Sequence, residues 1–211
     1  MGLEQAAAPG TVWAYNNAAI QTLDRVIRTA TGTATDVYAQ DRLFGPLGMT
    51  STRMTPDASG RSTQAFFGMQ STCPDLARFG QLFAQRGEWD GERLLPASWV
   101  RDAVGRSSQR LNAAYGLLWW VNRTGPQRAP LDDDAPGLPP GVSGVGQLVP
   151  GASKDMYAAL GFGGQVVLVD PGSGTVVVRL GTLGSGAAAG AEPYSIASAA
   201  KVVTEALRSA R

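Results

Sequence analysis

Apolar residues recur every three or four positions between residues 17 and 31, and charged residues fill the opposite positions. This period predicts an amphipathic helix that buries its apolar face and exposes Asp24 and Arg28. Either Asn16 or Asn17 is suited to begin the helix, because an asparagine side chain accepts hydrogen bonds from the free N–H groups of the first turn.

The same spacing predicts four further helices. They cover about residues 34–43, 74–87 and 96–104 and the terminal segment 192–211. Proline stands near the start of three of them, at Pro74, Pro96 and Pro193, where its missing N–H removes no helical hydrogen bond.

Strand patterns occupy the second half of the chain. Residues 115–122, YGLLWWVN, have aromatic strand character, so Trp119 and Trp120 should point to opposite faces, one to the core and one to a cleft. Two β-branched runs around a Pro-Gly pair predict a hairpin over residues 165–181. Between these patterns, the proline-rich segment 123–155 is predicted to be a long loop that covers a site or connects elements.

These elements predict an α+β fold in which an antiparallel sheet is packed by helices. We expect one incomplete domain, with a mainly helical lobe over about residues 1–110. The sheet, the long loop and the last helix should occupy about residues 111–211. Three predicted strands make a thin sheet, so partner strands are expected to be missing.

The composition narrows the chemistry. The 211 residues contain no histidine, and Lys154 and Lys201 are the only lysines. A Ser-His-Asp triad and a histidine-ligated zinc site are therefore excluded, and acid–base catalysis is left to tyrosine, lysine or carboxylates. A net charge of +1 argues against nucleic acid as a partner. We expect no cofactor, no metal and no membrane span. The acidic run at residues 132–134 lacks the ligand spacing of a calcium loop, and a solvated loop is favoured.

Two short segments could carry catalytic chemistry. Tyr15 and Asn17 stand directly before the first helix, where a phenol can relay a proton and an amide can hold a substrate amide or a lysine. The structural alternative is a packed ring followed by a helix cap. In GFGGQ, the glycines around Phe162 allow close approach to the backbone, whose N–H could donate to an oxyanion; a β-bulge is the alternative.

The order of these segments resembles the serine β-lactamase-related family, which includes class C β-lactamases, D,D-peptidases, esterases and nylon-oligomer amidases. The matching segments are PGTVWAYNN, LFGPLGM, DLARFGQLF, YGLLWWVN and GFGGQVVLVDP, and the resemblance covers almost all of the chain. It implies a partial β-lactamase/transpeptidase-like fold and serine hydrolase chemistry.

The resemblance also implies roles for single residues. Tyr15 corresponds to the tyrosine that assists proton transfer, and Asn17 to the asparagine of the same motif. The family's third motif falls on residues 159–161, so that the backbone N–H of Phe162 would form half of the oxyanion hole. Many members carry a cationic or imidazole side chain at the first position of this motif, where this chain has Ala159. The esterase and amidase branch often lacks that side chain as well.

Substrate-binding residues follow from the same correspondence. Gly161, Gly163 and Gly164 would let the strand approach the substrate. Gln70 precedes a helix in a segment that lines the cleft in relatives, although Ser71 or Thr72 beside it could simply cap that helix. Trp120 is the candidate for the cleft-facing tryptophan.

The nucleophile is the main departure from the family. Members carry Ser-x-x-Lys upstream of this tyrosine, whereas the fourteen residues before Tyr15 contain neither serine nor lysine. Ser198 and Lys201 form a literal Ser-x-x-Lys, but they fall on the polar face of the terminal helix. A solvated lysine there keeps a high pKa and is a weak base, so we assign this pair no catalytic role.

We therefore expect a serine hydrolase that transfers an acyl group from an ester, amide or β-lactam substrate to water, in a chain that is inactive alone. A non-catalytic remnant that binds cell-wall-like or peptide ligands is the alternative. A split enzyme, completed by a missing N-terminal segment or a separate chain, is a third possibility. The compartment stays open, because the start of the chain has no signal-peptide pattern and any export signal would lie in the missing part.

Overall fold

The computed structural model describes residues 5, 7–107, 109–128, 144–161, 164–181 and 196–209. Within these ranges the helices are α1 (Asn17–Thr31), α2 (Thr35–Ala39), α3 (Cys73–Ala84), α4 (Ala97–Val104) and α5 (Ile196–Ser209). The strands are β1 (Arg53–Met54), β2 (Met69–Gln70), β3 (Glu88–Trp89), β4 (Glu92–Arg93), β5 (Trp120–Val121), β6 (Gly125–Gln127), β7 (Gly144–Gly146), β8 (Tyr157–Gly161), β9 (Gln165–Asp170) and β10 (Thr175–Arg179). None of the helices in these ranges combines the length and the apolar character that a membrane crossing requires.

Four strands form the main antiparallel sheet, in the order β10-β9-β8-β5. β8 pairs with β9 over its full length, so that Ala158 lies opposite Leu168 and Gly161 opposite Gln165. On its other side β8 pairs with β5, where Trp120 lies opposite Ala158. β8 is therefore an inner strand. The pairing of β9 with β10 confirms the predicted hairpin.

Helices cover both faces of this sheet. On one face, α3 and α4 bury apolar side chains against β8 and β9. α3 lies close to the sheet at Gly80, where an added Cβ would be 2.6 Å from the side chain of Val176. On the other face, Val203 of α5 packs against a cluster that includes Met156 and Leu168. The predicted α+β fold, with an antiparallel sheet packed by helices, is confirmed.

Most helix bounds follow the prediction within three residues, but the second helix is built differently. α2 ends at Ala39 and continues as a π-helical turn over Gln40–Phe44. Phe44, at the end of this turn, is buried beside Leu82. At the other end of the chain α5 begins at Ile196, and Pro193 lies outside the described residues.

α1 buries one residue of its polar face, Asp24, while Arg25 and Arg28 on the same face are exposed. Asp24 is only 3% exposed, whereas Val26 is 58% exposed. The Asp24 carboxylate accepts a hydrogen bond from the N–H of Thr63 at 3.3 Å and lies 3.7 Å from Arg28. The prediction that Asp24 is exposed is therefore wrong. Periodicity located the helix, but it could not show that the polar face pairs with the backbone of a neighbouring segment.

Residues 115–122 form a tight hairpin instead of the single predicted strand. Tyr115 pairs with Trp120 across the hairpin, and Leu118 takes the left-handed backbone conformation with φ of 64°. Position 118 lacks the Gly or Asn that usually marks such a reversal, so the sequence pattern concealed it. The two tryptophans nevertheless contact different groups. Trp119 packs in the core with α3 and α4, and Trp120 is not part of that cluster.

The predicted loop 123–155 contains ordered structure at its base. β6 and β7 pair with each other inside it. Asn122, which is 1% exposed, donates from its side-chain amide to the carbonyls of Val149 and Ser153. The oxygen of the same side-chain amide accepts a hydrogen bond from the Val149 N–H at 2.7 Å. These hydrogen bonds fix the loop at its base. The acidic run at 132–134 lies outside the described residues.

Candidate functional site

Tyr15 lies on a group of three other aromatic rings. Its ring stacks on that of Trp120, with the centroids 6.4 Å apart and the planes at 16°. Tyr115 meets Tyr15 edge-on at 6.2 Å, and Trp13 meets Tyr115 at 5.4 Å. Trp120 is buried, while Tyr15 is half-buried and keeps part of its ring in contact with solvent. These four residues are called the aromatic cluster below.

Two segments build the aromatic cluster. Trp13 and Tyr15 come from the segment before α1, and Tyr115 and Trp120 are the paired residues of the tight hairpin. Burial and, to a lesser degree, the neighbouring Tyr15 raise the pKa of Tyr115 to about 12. Tyr115 therefore remains a neutral phenol at physiological pH and cannot serve as a base there.

The two asparagines after Tyr15 have different positions. Asn16 caps α1, because its side-chain oxygen accepts hydrogen bonds from the N–H groups of Ala18 at 2.8 Å and Ala19 at 3.2 Å. Asn17 is the first residue of the helix and is exposed. Since Asn16 provides the cap, the Asn17 side chain is left for other contacts at the mouth of α1.

The predicted third motif lies at the end of an inner strand. Ala159 and Gly161 belong to β8, and Gly161 is exposed at its last position. Phe162 and Gly163 lie outside the described residues, so the predicted oxyanion-hole N–H has no described position. Gly164 follows with φ of 76°, a conformation that favours glycine. The guanidinium of Arg179 donates to its carbonyl at 2.6 Å.

Trp120 links Tyr15 to β8. It carries the Tyr15 ring on one side and is paired through β5 with Ala158 of β8. Gly161 is three residues further along β8, a strand length of about 10 Å. Tyr15 and the glycine-rich end of β8 therefore lie in the same region of the molecule.

Gln70 lies on a two-stranded ribbon, a feature that the sequence did not predict. β1 and β2 pair with Arg53 opposite Gln70, and the Arg53 guanidinium donates a hydrogen bond to the Gln70 side-chain oxygen. Both side chains are exposed. The helix after the ribbon is capped by Thr72, whose hydroxyl accepts from the N–H of Asp75 at 3.4 Å. The predicted alternative, a cap by Thr72, is therefore confirmed, and the cleft-lining role of Gln70 stays a prediction.

A groove of about 650 Å³ runs beside the C-terminal half of α1. Arg25, Arg28 and Asp57 are among its lining residues, and none of the predicted site residues lines it. It is separate from the aromatic cluster, none of whose four residues lines it.

Comparison with known proteins identifies the family of the chain. The family model described as Beta-lactamase matches residues 1–204. The chain belongs to the beta-lactamase family. Family membership indicates serine hydrolase chemistry at the level of the family, and the suspected resemblance is confirmed. No curated protein matches the chain.

Several solved structures share the fold of this beta-lactamase-family chain. A protein described as a 6-aminohexanoate-dimer hydrolase from Bacillus anthracis is 27% identical with a TM-score of 0.62, over 83% of this chain and 39% of its own. A beta-lactamase from Mycobacterium bovis is 20% identical with a TM-score of 0.59, over 82% of this chain and 57% of its own. A penicillin-binding protein from Bacillus halodurans is 17% identical with a TM-score of 0.56, over 94% of this chain and 57% of its own. The chain thus spans only 39% to 57% of the length of these structures.

Sequence reasoning missed three residues of this region. Trp13 could have been found from its spacing, because residues two positions apart, as Trp13 and Tyr15 are, lie on the same side of an extended segment. The contact of Tyr115 cannot be read from the sequence, because the pattern of residues 115–122 predicts one strand and not a hairpin. Arg53 had no signal in the sequence, since its position opposite Gln70 depends on strand pairing.

Proposed function

We propose that this chain supplies the proton-transfer and oxyanion side of a serine hydrolase site, and that the nucleophilic serine comes from a segment outside these 211 residues. The observation that carries the proposal is Tyr15 stacked on Trp120, whose strand pairs with β8 at Ala158, in a member of the beta-lactamase family. Because no Ser-x-x-Lys precedes Tyr15, the proposal looks for the nucleophile in another segment.

The reaction is acyl transfer in two steps. A serine hydroxyl attacks the carbonyl carbon of an ester or amide, its proton passes through the Tyr15 phenol, and the leaving group departs with that proton. The N–H of Phe162 would donate to the negative oxygen of the tetrahedral intermediate. Water then attacks the acyl carbonyl, its proton passes through Tyr15 to the serine oxygen as the ester bond breaks, and the free acid and the serine hydroxyl are restored.

Three features support the assignments. Tyr15 is half-buried, and its ring stacks on Trp120 while part of the residue stays accessible to solvent. Asn17 begins α1 beside it and, unlike Asn16, does not cap the helix. The hydrolase from Bacillus anthracis shares 27% identity with this chain, which favours an ester or amide as the substrate class.

The first experiment asks whether the chain is incomplete. The purified 211-residue chain is assayed with nitrocefin and with p-nitrophenyl acetate, and we expect no turnover above the uncatalysed rate. The DNA upstream of Met1 is then read for an in-frame Ser-x-x-Lys. If it is present, the longer protein should hydrolyse one of these substrates and lose activity when that serine is replaced by alanine. Enzymic turnover by the 211 residues alone would contradict the proposal.

A non-catalytic ligand-binding role is the second candidate, because the chain lacks a serine before Tyr15. An absence of any upstream Ser-x-x-Lys, together with saturable binding of a cell-wall peptide by the isolated chain, would favour that role over catalysis.

A further inference from the structure

We propose that Gln165 and Arg179 are positioning residues of the candidate site, which hold the glycine-rich end of the β8–β9 hairpin from the side of β10. The inference rests on the proposed function, which assigns half of the oxyanion hole to the backbone at this end of β8. Both residues act through backbone groups that they hold, and neither is proposed as a catalytic residue.

The two sides of the hairpin meet at Gly161 and Gln165. Gly161 is the last residue of β8 and lies opposite Gln165, the first residue of β9. Because a peptide unit is planar, the plane that holds the Gly161 carbonyl also holds the N–H of residue 162, the predicted oxyanion donor. The backbone of Gly161 therefore sets the direction of that N–H.

The Gln165 side chain makes a two-way contact with the backbone of Gly181. Its nitrogen donates to the carbonyl of Gly181, and its oxygen accepts from the N–H of the same residue at 2.9 Å. β10 ends at Arg179, so this side-chain amide continues the pairing of β9 with its neighbour beyond the last residue of the strand. The residue opposite Gly161 is thereby tied to a third segment of the chain.

Arg179 holds the residue before Gln165. It lies opposite Val166 in the pair of β9 and β10, and its guanidinium donates to the carbonyl of Gly164 at 2.6 Å. Hydrogen bonds from a charged donor are shorter and stronger than neutral ones. Gly164 has φ of 76° and no side chain to restrict it, so this bond fixes a backbone position that would otherwise be permissive.

Close packing brings these groups together. A Cβ added at Gly181 would lie 3.0 Å from both terminal nitrogens of the Arg179 guanidinium, and one added at Gly161 would lie 3.0 Å from the Cβ of Gln165. Glycine at both positions permits this approach. Gln165, Arg179 and Gly181 are half-buried, and hydrogen bonds shielded from water are electrostatically stronger. These three residues are called the turn clamp below.

The other end of β9 is held differently. There the side chain of Asp170 accepts from the N–H of Gly172 at 3.2 Å and from the hydroxyl of Ser173 at 2.9 Å, so these bonds stay within one turn. The turn clamp instead spans about fifteen residues of chain and acts at the end to which the oxyanion donor is assigned. Such a donor is effective only if it needs no reorganisation as charge develops, and the turn clamp supplies that rigidity.

The first test uses the 211-residue chain and needs no turnover. Amide hydrogen exchange at Gly161, Gly164 and Gln165 is followed by NMR in the parent, Gln165→Ala and Arg179→Met. We expect exchange about tenfold faster in both variants because local opening becomes easier, with melting temperatures within a few degrees of the parent. Arg179→Lys keeps a charged donor and should restore part of the protection.

Gln85→Ala is the matched control. Gln85 is exposed, and within the described part of the chain its side chain makes no hydrogen bond. The control should leave exchange at the three amides unchanged. Unchanged exchange in Gln165→Ala or in Arg179→Met, or an equal acceleration by Gln85→Ala, would overturn the proposal.

The second test uses the protein completed by a Ser-x-x-Lys segment, with p-nitrophenyl acetate as the substrate. Active sites are counted by burst-phase titration, and kcat/KM is expressed per titrated site. We expect Gln165→Ala and Arg179→Met to lower it by about tenfold, less than the ~10²–10³-fold cost of removing an oxyanion donor. A merely structural role would reduce the number of sites and leave kcat/KM per site at the parent's value, which would contradict positioning.

The positioning role and the proposed function can fail separately. Catalysis that is lost in Tyr15→Phe, but whose kcat/KM per site is the same in the parent, Gln165→Ala and Arg179→Met, would remove the positioning role alone. A completed protein that hydrolyses no ester, while both variants still accelerate exchange at the hairpin end, would remove the proposed function and leave the turn clamp as the element that holds this backbone.

Discussion

The ring of Tyr15 stacks on the ring of Trp120, and this contact joins the start of α1 to the main sheet. Trp120 is 4% exposed and paired with β8, so it provides a fixed support for a side chain that remains partly open to solvent. The stability of the surroundings of Tyr15 can therefore be tested separately from its chemistry.

Replacing the two asparagines beside Tyr15 should give unequal losses of stability. Asn16→Ala removes the cap of α1 and should lower the free energy of unfolding by about 0.5–2 kcal/mol. Asn17→Ala should change it by less than about 0.5 kcal/mol, because the side chain is exposed and caps nothing. Urea unfolding of the two variants measures the difference. Equal losses would show that the cap is shared.

A glycine at position 118 should stabilise the protein. Leu118 is 49% exposed and has φ of 64°, a conformation that costs a branched side chain about 1 kcal/mol or more. Leu118→Gly relieves this cost, and we expect the free energy of unfolding to rise by about 0.5–1 kcal/mol.

Leu117→Gly is the control for that variant. Leu117 is 41% exposed and does not have a positive φ, so glycine there should destabilise the chain. Thermal melts of the two variants on opposite sides of the parent would support the hairpin. Destabilisation by Leu118→Gly would count against the left-handed turn.

Asn122 should be essential for the base of the long loop. Its side chain makes three hydrogen bonds to the backbone of Val149 and Ser153 from a position that is 1% exposed. Asn122→Ala leaves those buried groups without partners and should cost about 2–4 kcal/mol. Hydrogen exchange at the Val149 amide should accelerate in the variant. A loss below about 1 kcal/mol would mean that water replaces the asparagine readily.

Stability should fall at alkaline pH through two tyrosines. Burial raises the pKa of Tyr157, and burial with Tyr15 raises the pKa of Tyr115 to about 12, while an unfolded tyrosine titrates near ~10. Between about pH 10 and pH 12 the unfolded chain loses protons that the folded chain keeps, so unfolding becomes easier. Urea midpoints measured from pH 8 to pH 11.5 should be constant at first and then decline.

Tyr157→Phe tests that explanation. The variant removes one of the two ionisable groups, so its midpoints should decline less steeply above about pH 10 than those of the parent. An identical decline in both proteins would assign the alkaline loss to other groups.

Local patterns in the sequence predicted the helices and the final hairpin, because apolar periodicity and proline positions determine such elements nearby in the chain. They failed where distant segments pair. Asp24 was assigned to the surface because helical spacing cannot show a polar face bonded to Thr63. The hairpin at Leu118 lacked its usual turn residue, and this hid the contact between Tyr115 and Tyr15. The roles of Tyr15, Asn17, Gln70 and the glycines around residue 162 remain predictions.

The most direct test of the central claim uses the protein completed by a segment that carries Ser-x-x-Lys. kcat/KM for the better of nitrocefin and p-nitrophenyl acetate is compared between the parent, Tyr15→Phe and the control Tyr38→Phe, in which a partly exposed tyrosine of α2 is changed. If Tyr15 transfers the proton, Tyr15→Phe should lose about 10²–10⁴-fold while Tyr38→Phe stays near the parent. A Tyr15→Phe enzyme that retains the parent's kcat/KM would contradict the account.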